Sequence, residues 1–285
     1  MSATSDAVVG VDMKAQLNGS LISLSTDASL QVSPDLREIL LKSDASGNAT
    51  DWKARLSGEQ EWSLDQEGLL AGDSDNYDLA NSNAHFKIDP GSGLVEVPLL
   101  DSVDFTLSQD LADVGGIDQP LWRYLRPAER EFSVDISGSY VEPTTSTGSP
   151  YDEMLTARDN GENLPMKLEV FGKTFSGDVA IGDTSIEGST GGESASIDIS
   201  MESDGELTTG GSFGAGLDGI FSAFMSKSSV DVGMLHYDGG APKTGTKKFT
   251  GSGYYSEVSI SLSAGEEITT SGTVEGDGPL SMGTV

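Results

Sequence analysis

The strongest constraint on the fold is a pattern of 17 residues that the chain carries twice, 70 positions apart. Trp52 to Gly68 reads WKARLSGEQEWSLDQEG, and Trp122 to Gly138 reads WRYLRPAEREFSVDISG. Besides the two ends, the matching positions are Trp62 and Phe132, Glu61 and Glu131, Ser63 and Ser133, and Asp65 and Asp135. Repetition at a fixed spacing indicates one structural unit that is built twice from a single chain.

The repeat extends to other segments, and their order along the chain limits how they can combine. Residues 29–39 match 104–114, and residues 175–187 match 249–261 at a spacing of 74. The chain therefore runs first half, first half, second half, second half. Two complete units can be assembled either by nesting one inside the other or by interleaving the halves.

Nesting is the simpler of these two arrangements. It places a second domain of residues 85–209 inside a first domain made from residues 1–84 and 210–285. Neighbouring strands can then pair, and the insertion falls in the polar segment GDSDNYDLANSN (72–83), where a chain crossing costs little. We therefore predict two similar domains, the first of them discontinuous, with interleaving as the alternative.

Alternation of apolar and polar residues predicts a mainly β fold. The alternating segments are 20–33, 61–70, 130–141, 166–172, 195–201 and 256–263. Antiparallel strands with one buried face have this pattern, and Gly, Ser, Thr and Asp, which favour turns, separate the segments. The predicted fold class is two similar antiparallel β-sandwich or barrel domains, each with one short α-helix.

Two segments have the apolar spacing of helices. The first, SPYDEMLTARDNG (149–161), opens with a Ser-Pro pair typical of an N-cap and first helical position. Its predicted face is Tyr151, Met154, Leu155 and Arg158. The second, LDGIFSAFMSK (217–227), would use Leu217, Ile220, Phe221 and Phe224. Each helix precedes one copy of the later repeat, so each unit receives one.

The charge of the chain excludes several classes of function. There are 46 Asp and Glu against 16 Lys and Arg, a net charge of −30. Such a surface repels phosphate backbones, which argues against tight nucleic-acid binding, and it suits a halophile because ~1 M salt screens charges within ~3 Å. With no cysteine, disulfides and Cys-metal sites are excluded. MSATSDAVVG lacks secretory-signal features and no apolar run nears the ~20 residues of a membrane span, so we expect a soluble, cytoplasmically made protein.

Residues 41–69, LKSDASGNATDWKARLSGEQEWSLDQEGL, resemble the major tail (tail-tube) proteins of long-tailed, non-contractile phages and haloarchaeal tailed viruses. In that family a strand leads into a Lys-Ser/Thr-Asp loop, then Gly-x-Trp, then Trp-Ser-x-Asp-x-x-Gly. Residues 251–280, GSGYYSEVSISLSAGEEITTSGTVEGDGPL, resemble the family's last strands. The chain departs from the pattern in the four residues between Gly47 and Trp52, and in its second copy, GGIDQPLW (115–122), which has no Lys-Ser-Asp loop.

The resemblance implies a structural virion protein, located in the tail, and not an enzyme. Tail-tube domains form six-fold rings whose sheets join edge to edge, and the rings stack into a tube that conducts viral DNA. With two such domains per chain, three chains would complete a pseudo-hexameric ring; a true hexamer is the alternative. The implied partners are further copies, tail-terminator and tail-tip proteins at the ends, and the tape-measure protein and then DNA inside. No cofactor and no membrane is implied.

One group of candidate residues belongs to the channel. Carboxylates on its wall would repel phosphate, so DNA could slide without binding tightly. The candidates are Asp65, Glu67, Asp135 and Ser137. Their alternative role is an ordinary solvated strand face.

A second group belongs to the segment 37–52, REILLKSDASGNATDW, which is long for a hairpin loop and carries apolar residues. In a tail tube this loop would reach the next ring. The candidates are Ile39, Leu40, Leu41 and Trp52. Their alternative role is to pack on their own domain.

Other motifs do not reach a site. GAGLDG (214–219) fits Gly-x-Gly-x-x-Gly but lacks the βαβ context of a dinucleotide site, and DSDNYD (73–78) lacks the Gly and distal Glu of an EF-hand. His85 and His236 lie outside any catalytic motif. We predict no catalytic, cofactor or metal site. The alternative functions are a secreted or surface β-sandwich adhesin of a halophile and a baseplate relative that forms a single ring.

Overall fold

The structure is a computed structural model that describes residues 13–17, 20–21, 25–39, 54–69, 84–91, 93–114, 122–140, 149–188, 195–213, 217–238 and 241–285. Its strands are β1 Met13–Leu17, β2 Ser20–Leu21, β3 Ser25–Ile39, β4 Ala54–Leu69, β5 Ala84–Ile88, β6 Val95–Glu96, β7 Leu100–Asp113, β8 Leu125–Ser139, β9 Asn163–Val170, β10 Lys173–Glu187, β11 Ser196–Ser203, β12 Thr208–Gly210, β13 Val230–Asp238, β14 Ala241–Pro242, β15 Lys247–Ser263, β16 Thr269–Gly276 and β17 Ser281–Thr284. The helices are α1 Pro150–Asn160 and α2 Leu217–Ser226. The described chain is mainly antiparallel β, as the alternation predicted.

Eight strands form one continuous antiparallel run in the order β3-β4-β16-β15-β7-β8-β11-β10. We call β3, β4, β16 and β15 the first run, and β7, β8, β11 and β10 the second run. Within the chain the two runs meet where β15 pairs with β7, from Glu257 opposite Ser108 to Ser263 opposite Ser102.

A second layer completes the fold, because β10 and β15 are long enough to belong to both layers. The first half of β10 pairs with β9 and β12, and β9 continues to β5 and β6. The first half of β15 pairs in the same way with β13 and β17, and β13 continues to β1 and β2. The apolar core lies between the layers and includes residues of both runs.

The two runs have the same register at constant offsets. Leu30 of β3 lies opposite Leu64 of β4, and Phe105 of β7 lies opposite Val134 of β8 in the same way. Equivalent residues are therefore 75 positions apart in β3 and β7, and 70 positions apart in β4 and β8. Val179 opposes Ser203 as Gly253 opposes Gly276, which sets offsets of 74 between β10 and β15 and 73 between β11 and β16. The irregularities in pairing recur as well, between Pro34 and Leu36 in β3 and between Gln109 and Leu111 in β7.

A large aromatic side chain fills the same place in each run. Trp62 is 2% exposed, and a Cβ at Gly251 or Gly276 would lie 2.5 or 2.3 Å from its indole ring. At the equivalent place Phe132 lies against Gly177, where a Cβ would be 2.7 Å from the ring. The smaller ring leaves room for Ser203 in place of Gly276, and the Ser203 hydroxyl accepts the Phe132 N–H at 3.1 Å.

The helices start and stop where their caps require. Ser149 caps α1 by accepting the Tyr151 N–H at 3.2 Å, and Gly161 ends the helix with φ +66°. The predicted face of α1 was partly wrong: Tyr151 and Met154 are buried together with Ala157, whereas Leu155 is half-buried and Arg158 is exposed. The two helices end with the same pair of main-chain hydrogen bonds. In α1 the acceptors are the carbonyls of Arg158 and Ala157, and in α2 they are the carbonyls of Phe224 and Ala223, so equivalent residues of the helices are 66 positions apart.

Candidate assembly surface

Along most of its described length, one side of the eight-stranded run is lined by hydroxyl, amide and carboxylate side chains. These residues alternate with the buried ones, and none of them is buried, Lys or Arg. This polar face consists of Asp27, Ser29, Gln31, Ser33, Glu61, Ser63, Asp65, Glu67, Thr269, Ser271, Thr273, Glu275, Glu257, Ser259, Ser261, Ser263, Ser102, Asp104, Thr106, Ser108, Glu131, Ser133, Asp135, Ser137, Ser196, Asp198, Ser200, Glu202, Ser185 and Glu187.

All four predicted channel residues lie on the polar face, two in each run. Asp65 accepts hydrogen bonds from the hydroxyls of Thr273 at 2.9 Å and Ser29 at 3.3 Å. In the second run the Ser200 hydroxyl donates to the Asp135 carboxylate, and Ser137 shares a 2.8 Å hydroxyl–hydroxyl bond with Ser102. Neighbouring hydroxyls thus hold Asp65, Asp135 and Ser137 on the face. That this face lines a channel stays a prediction.

The predicted stacking loop differs from the structure at its start. Strand β3 continues through Ile39, which pairs with Ala54, so residues 37–39 belong to a strand and not to a loop. The reason is that the hairpin of β3 and β4 resumes regular pairing beyond its irregularity at Pro34. Leu40, Leu41 and Trp52 lie outside the described residues, and their stacking role stays a prediction.

Sequence reasoning missed Arg123, the cation at one end of the polar face. Its Nη1 lies 3.2 Å from Glu61 Oε2 and 3.8 Å from Glu275 Oε2, and its Nε lies 3.8 Å from Asp113 Oδ2. Its main chain donates to the Gln60 carbonyl and accepts from the Gly278 N–H. Residues 122–124, which precede β8, therefore reach across to β4 of the other run. The only sequence signal was a cation directly after each repeated Trp.

The crowding of carboxylates on the polar face predicts a small pH effect at Glu275. Burial raises the pKa of this carboxyl above its ordinary 4.5; Arg123 lowers it, and Glu61 and Asp65 raise it again. Because the pKa of Glu275 is higher in the folded chain than in the unfolded chain, the protonated carboxyl favours the folded state at a pH below the ordinary pKa. This contribution to stability is lost as the pH rises through the pKa of the folded chain. We expect Glu275→Gln to raise the melting temperature slightly at pH 7 but not at pH 4. Thermal melts at both pH values check this, and an equal change at both would contradict it.

The two ends of the eight-stranded run are open edges. Among the strands that the structure describes, β3 pairs only with β4, and residues 184–187 of β10 pair only with β11. Val32 on β3 is 48% exposed and Ile186 on β10 is 51% exposed, although both are apolar. Edge strands normally carry charge or cover to prevent association, so these two edges are suited to pairing with another strand.

Other kinds of site find little support within the described ranges. No three His, Asp or Glu side chains there are placed to hold a metal ion. His85 Nδ1 lies 2.7 Å from Glu96 Oε1 at the surface. Neither described helix is long and apolar enough to cross a membrane.

Comparisons with known proteins return solved structures alone. No family model matches the chain, and no curated protein matches it. A chain in the virion of a native gene transfer agent particle aligns at 19% identity and a TM-score of 0.39, over 45% of this chain and 95% of that chain. A chain in the anti-feeding prophage baseplate aligns at 7% identity and a TM-score of 0.36, over 46% of this chain and 95% of that chain. A chain of the SPP1 tail tube aligns at 13% identity and a TM-score of 0.34, over 47% of this chain and 80% of that chain.

Proposed function

We propose that this protein is the tail-tube subunit of a long-tailed virus, and that it forms stacked rings with a central channel. Each chain supplies two tube domains, the second (85–209) nested in the first (1–84 and 210–285). Three chains then give six equivalent positions and a pseudo-hexameric ring. The protein acts as a structural component of the virion tail, with tail-terminator and tail-tip proteins at the tube ends.

The observation that carries this proposal is the joint within the chain. Two four-stranded runs of the same order and register are already joined edge to edge through β15 and β7. Within the part of the chain that the structure describes, the same kinds of edge, β3 and β10, are left open at the outer ends of the combined sheet. An interface between unlike edges closes into a ring when the rotation from one subunit to the next allows it. If the rotation that relates the two runs is repeated from chain to chain, the β10 edge of one chain pairs with the β3 edge of the next.

The polar face would line the channel. Carboxylates repel a phosphate backbone, and the polar-face residues named above include neither Lys nor Arg. Arg123, at one end of the face, is already paired with Glu61. The tape-measure protein and then viral DNA would pass inside without tight binding. Asp65, Glu67, Asp135 and Ser137 are the wall residues that we propose.

Assembly should depend strongly on salt. Each chain carries a net charge of −30, so bringing chains together in dilute buffer is opposed by repulsion that acts over ~30 Å at 0.01 M salt and only ~3 Å at 1 M. We expect electron micrographs of the purified protein to show rings or stacked tubes at molar salt and dispersed particles at low salt. Dispersed monomers at every salt concentration would contradict the proposal and favour a monomeric binding module.

A further inference from the structure

We infer that neighbouring protomers join through the same contacts that join the two runs within a chain, with α1 and β10 of one protomer on β15 and β3 of the next. This inference rests on the proposed function and specifies its protomer–protomer joint. It takes the intrachain joint as the template and transfers that joint by the offsets that relate the two runs.

The template has a strand part and a helix part. In the strand part, Val258 lies opposite Leu107 and Ser259 opposite Thr106. In the helix part, α2 lies against the second run, where the rings of Phe221 and Phe175 are 5.3 Å apart.

Polar contacts hold the helix part of the template. Lys173 Nζ, on a residue that is only 9% exposed, lies 3.2 Å from Asp218 Oδ1 of α2. The Arg130 guanidinium donates to the carbonyls of Phe224 and Met225 at the end of α2. The joint therefore combines apolar burial with two cations that satisfy groups of the helix.

The offsets carry the strand contacts and two of the helix contacts to pairs between protomers, whereas Arg130 corresponds to Gln60, so its charge has no counterpart in the next protomer. For the strand part, the β15 residue is replaced by the β10 residue 74 positions earlier, and the β7 residue by the β3 residue 75 positions earlier. The pair Ser259–Thr106 then becomes Ser185–Gln31, and the pair Val258–Leu107 becomes Thr184–Val32. For the helix part, the α2 residue is replaced by the α1 residue 66 positions earlier, and the β10 residue by the β15 residue 74 positions later. The pair Asp218–Lys173 then becomes Asp152–Lys247, and the pair Phe221–Phe175 becomes Leu155–Phe249. In every pair the first residue belongs to one protomer and the second to the next.

Exposure in the single chain agrees with this transfer. Ile186 is 51% exposed, whereas its equivalent Ile260 is fully buried at the intrachain joint. Val32 is 48% exposed, whereas its equivalent Leu107 is 1% exposed. Leu155, Phe249 and Leu280 are half-buried, and their equivalents Phe221, Phe175 and Leu207 are buried. One run thus has its apolar positions covered by α2 and β15, and the other has the same positions uncovered.

Charge is also complementary at the transferred positions. Lys247 is exposed, although its equivalent Lys173 is buried beside a carboxylate. Arg158 stands where α2 has Phe224, which lines a small cavity together with Leu107 and Glu131. The corresponding cavity of the next protomer would present Val32 and Glu61 to the Arg158 guanidinium.

Engineered cysteines test the register directly, because the chain has no cysteine of its own. In the variant with Gln31→Cys and Ser185→Cys, the new thiols lie on the polar face at directly opposed positions, with Cβ atoms ~4.5–5.5 Å apart. Oxidation at molar salt should give covalent dimers and trimers on a non-reducing gel, with no larger species if the ring closes at three. The matched control, Thr106→Cys with Ser259→Cys, should form a disulfide within one chain. The displaced control, Gln31→Cys with Glu187→Cys, should cross-link at least tenfold more slowly.

The outcomes separate this inference from the proposed function. Faster cross-linking of the displaced control, or rings in micrographs without cross-linking of the opposed pair, overturns the register and leaves the tube intact. Absence of rings and of intermolecular disulfides, while the intrachain control oxidises, overturns both. As an independent measurement, Lys247→Glu should weaken assembly about tenfold with an unchanged melting temperature, whereas the exposed Lys243→Glu should not. Equal assembly by both lysine variants would remove the helix part of the joint.

Discussion

Replacing Ile186 by Lys is expected to give a folded chain that no longer assembles. The side chain is half exposed on the open edge of β10, so the change removes little from the core of the single chain. In the proposed joint it would place a charge opposite Leu30, in the position that Ile260 fills with no exposure inside the chain. A lysine on an edge strand opposes further strand pairing. Sedimentation velocity at molar salt should show at least a tenfold rise in the protein concentration needed for assembly.

Two comparison variants make this expectation specific. Leu94→Lys changes a residue of similar exposure, 48%, that lies on neither open edge, so it should assemble like the original protein. Ile260→Lys makes the same change at the buried equivalent position, so it should lower the thermal stability of the single chain sharply. If Ile186→Lys assembles normally, or if Leu94→Lys fails equally, β10 is not the assembling edge.

Replacing Trp62 by Ala should strongly lower the stability of the single chain. The indole is 2% exposed, lies against the backbone of Gly251 and Gly276, and donates from Nε1 to the Gly278 carbonyl at 3.0 Å. Truncation of a buried aromatic side chain costs about 3–5 kcal/mol in the free energy of unfolding, because it leaves a cavity. Urea unfolding followed by circular dichroism measures this. Trp122→Ala, at a half-buried tryptophan, should cost less, and the opposite order would contradict the packing described above.

A paired substitution tests why Trp62 requires glycine neighbours. Trp62→Phe alone leaves space beside Gly276, whereas the equivalent place in the second run has Phe132 beside Ser203. Adding Gly276→Ser to Trp62→Phe should recover part of the lost stability. Gly276→Ser alone should be destabilising, since its Cβ would lie 2.3 Å from the indole. Additive effects of the two changes would argue against direct packing between these positions.

The sequence alone was sufficient to place side chains on faces. Alternation with a period of two puts every second residue on the same side of a strand. Asp65, Glu67, Asp135 and Ser137 do lie on one polar face, and their place in a channel wall stays a prediction. The repeated spacing also relates strands that are far apart in the chain. Trp62 and Phe132 fill equivalent places in the two runs, with the same close approach to glycine.

The sequence did not distinguish covered positions from open ones. Val32 and Leu107 occupy matching places in matching patterns, yet their exposures are 48% and 1% because only one of them has β15 beside it. The same limitation explains Leu155 and Arg158, which helical spacing assigned to a buried face. Arg123 was missed because its role depends on the approach of residues 122–124 to β4, which no local pattern encodes.

The pairing of β15 with β7 inside one polypeptide affects how rings would begin. Because both partners of this joint are covalently connected, they meet at an effective concentration that dilution does not change. Only contacts between separate chains cost translational and rotational freedom, on the order of 4–15 kcal/mol for each association. A ring of three such chains immobilises fewer independent bodies than a ring of six single-domain subunits. Closed rings should therefore nucleate from a more dilute pool of newly made subunits.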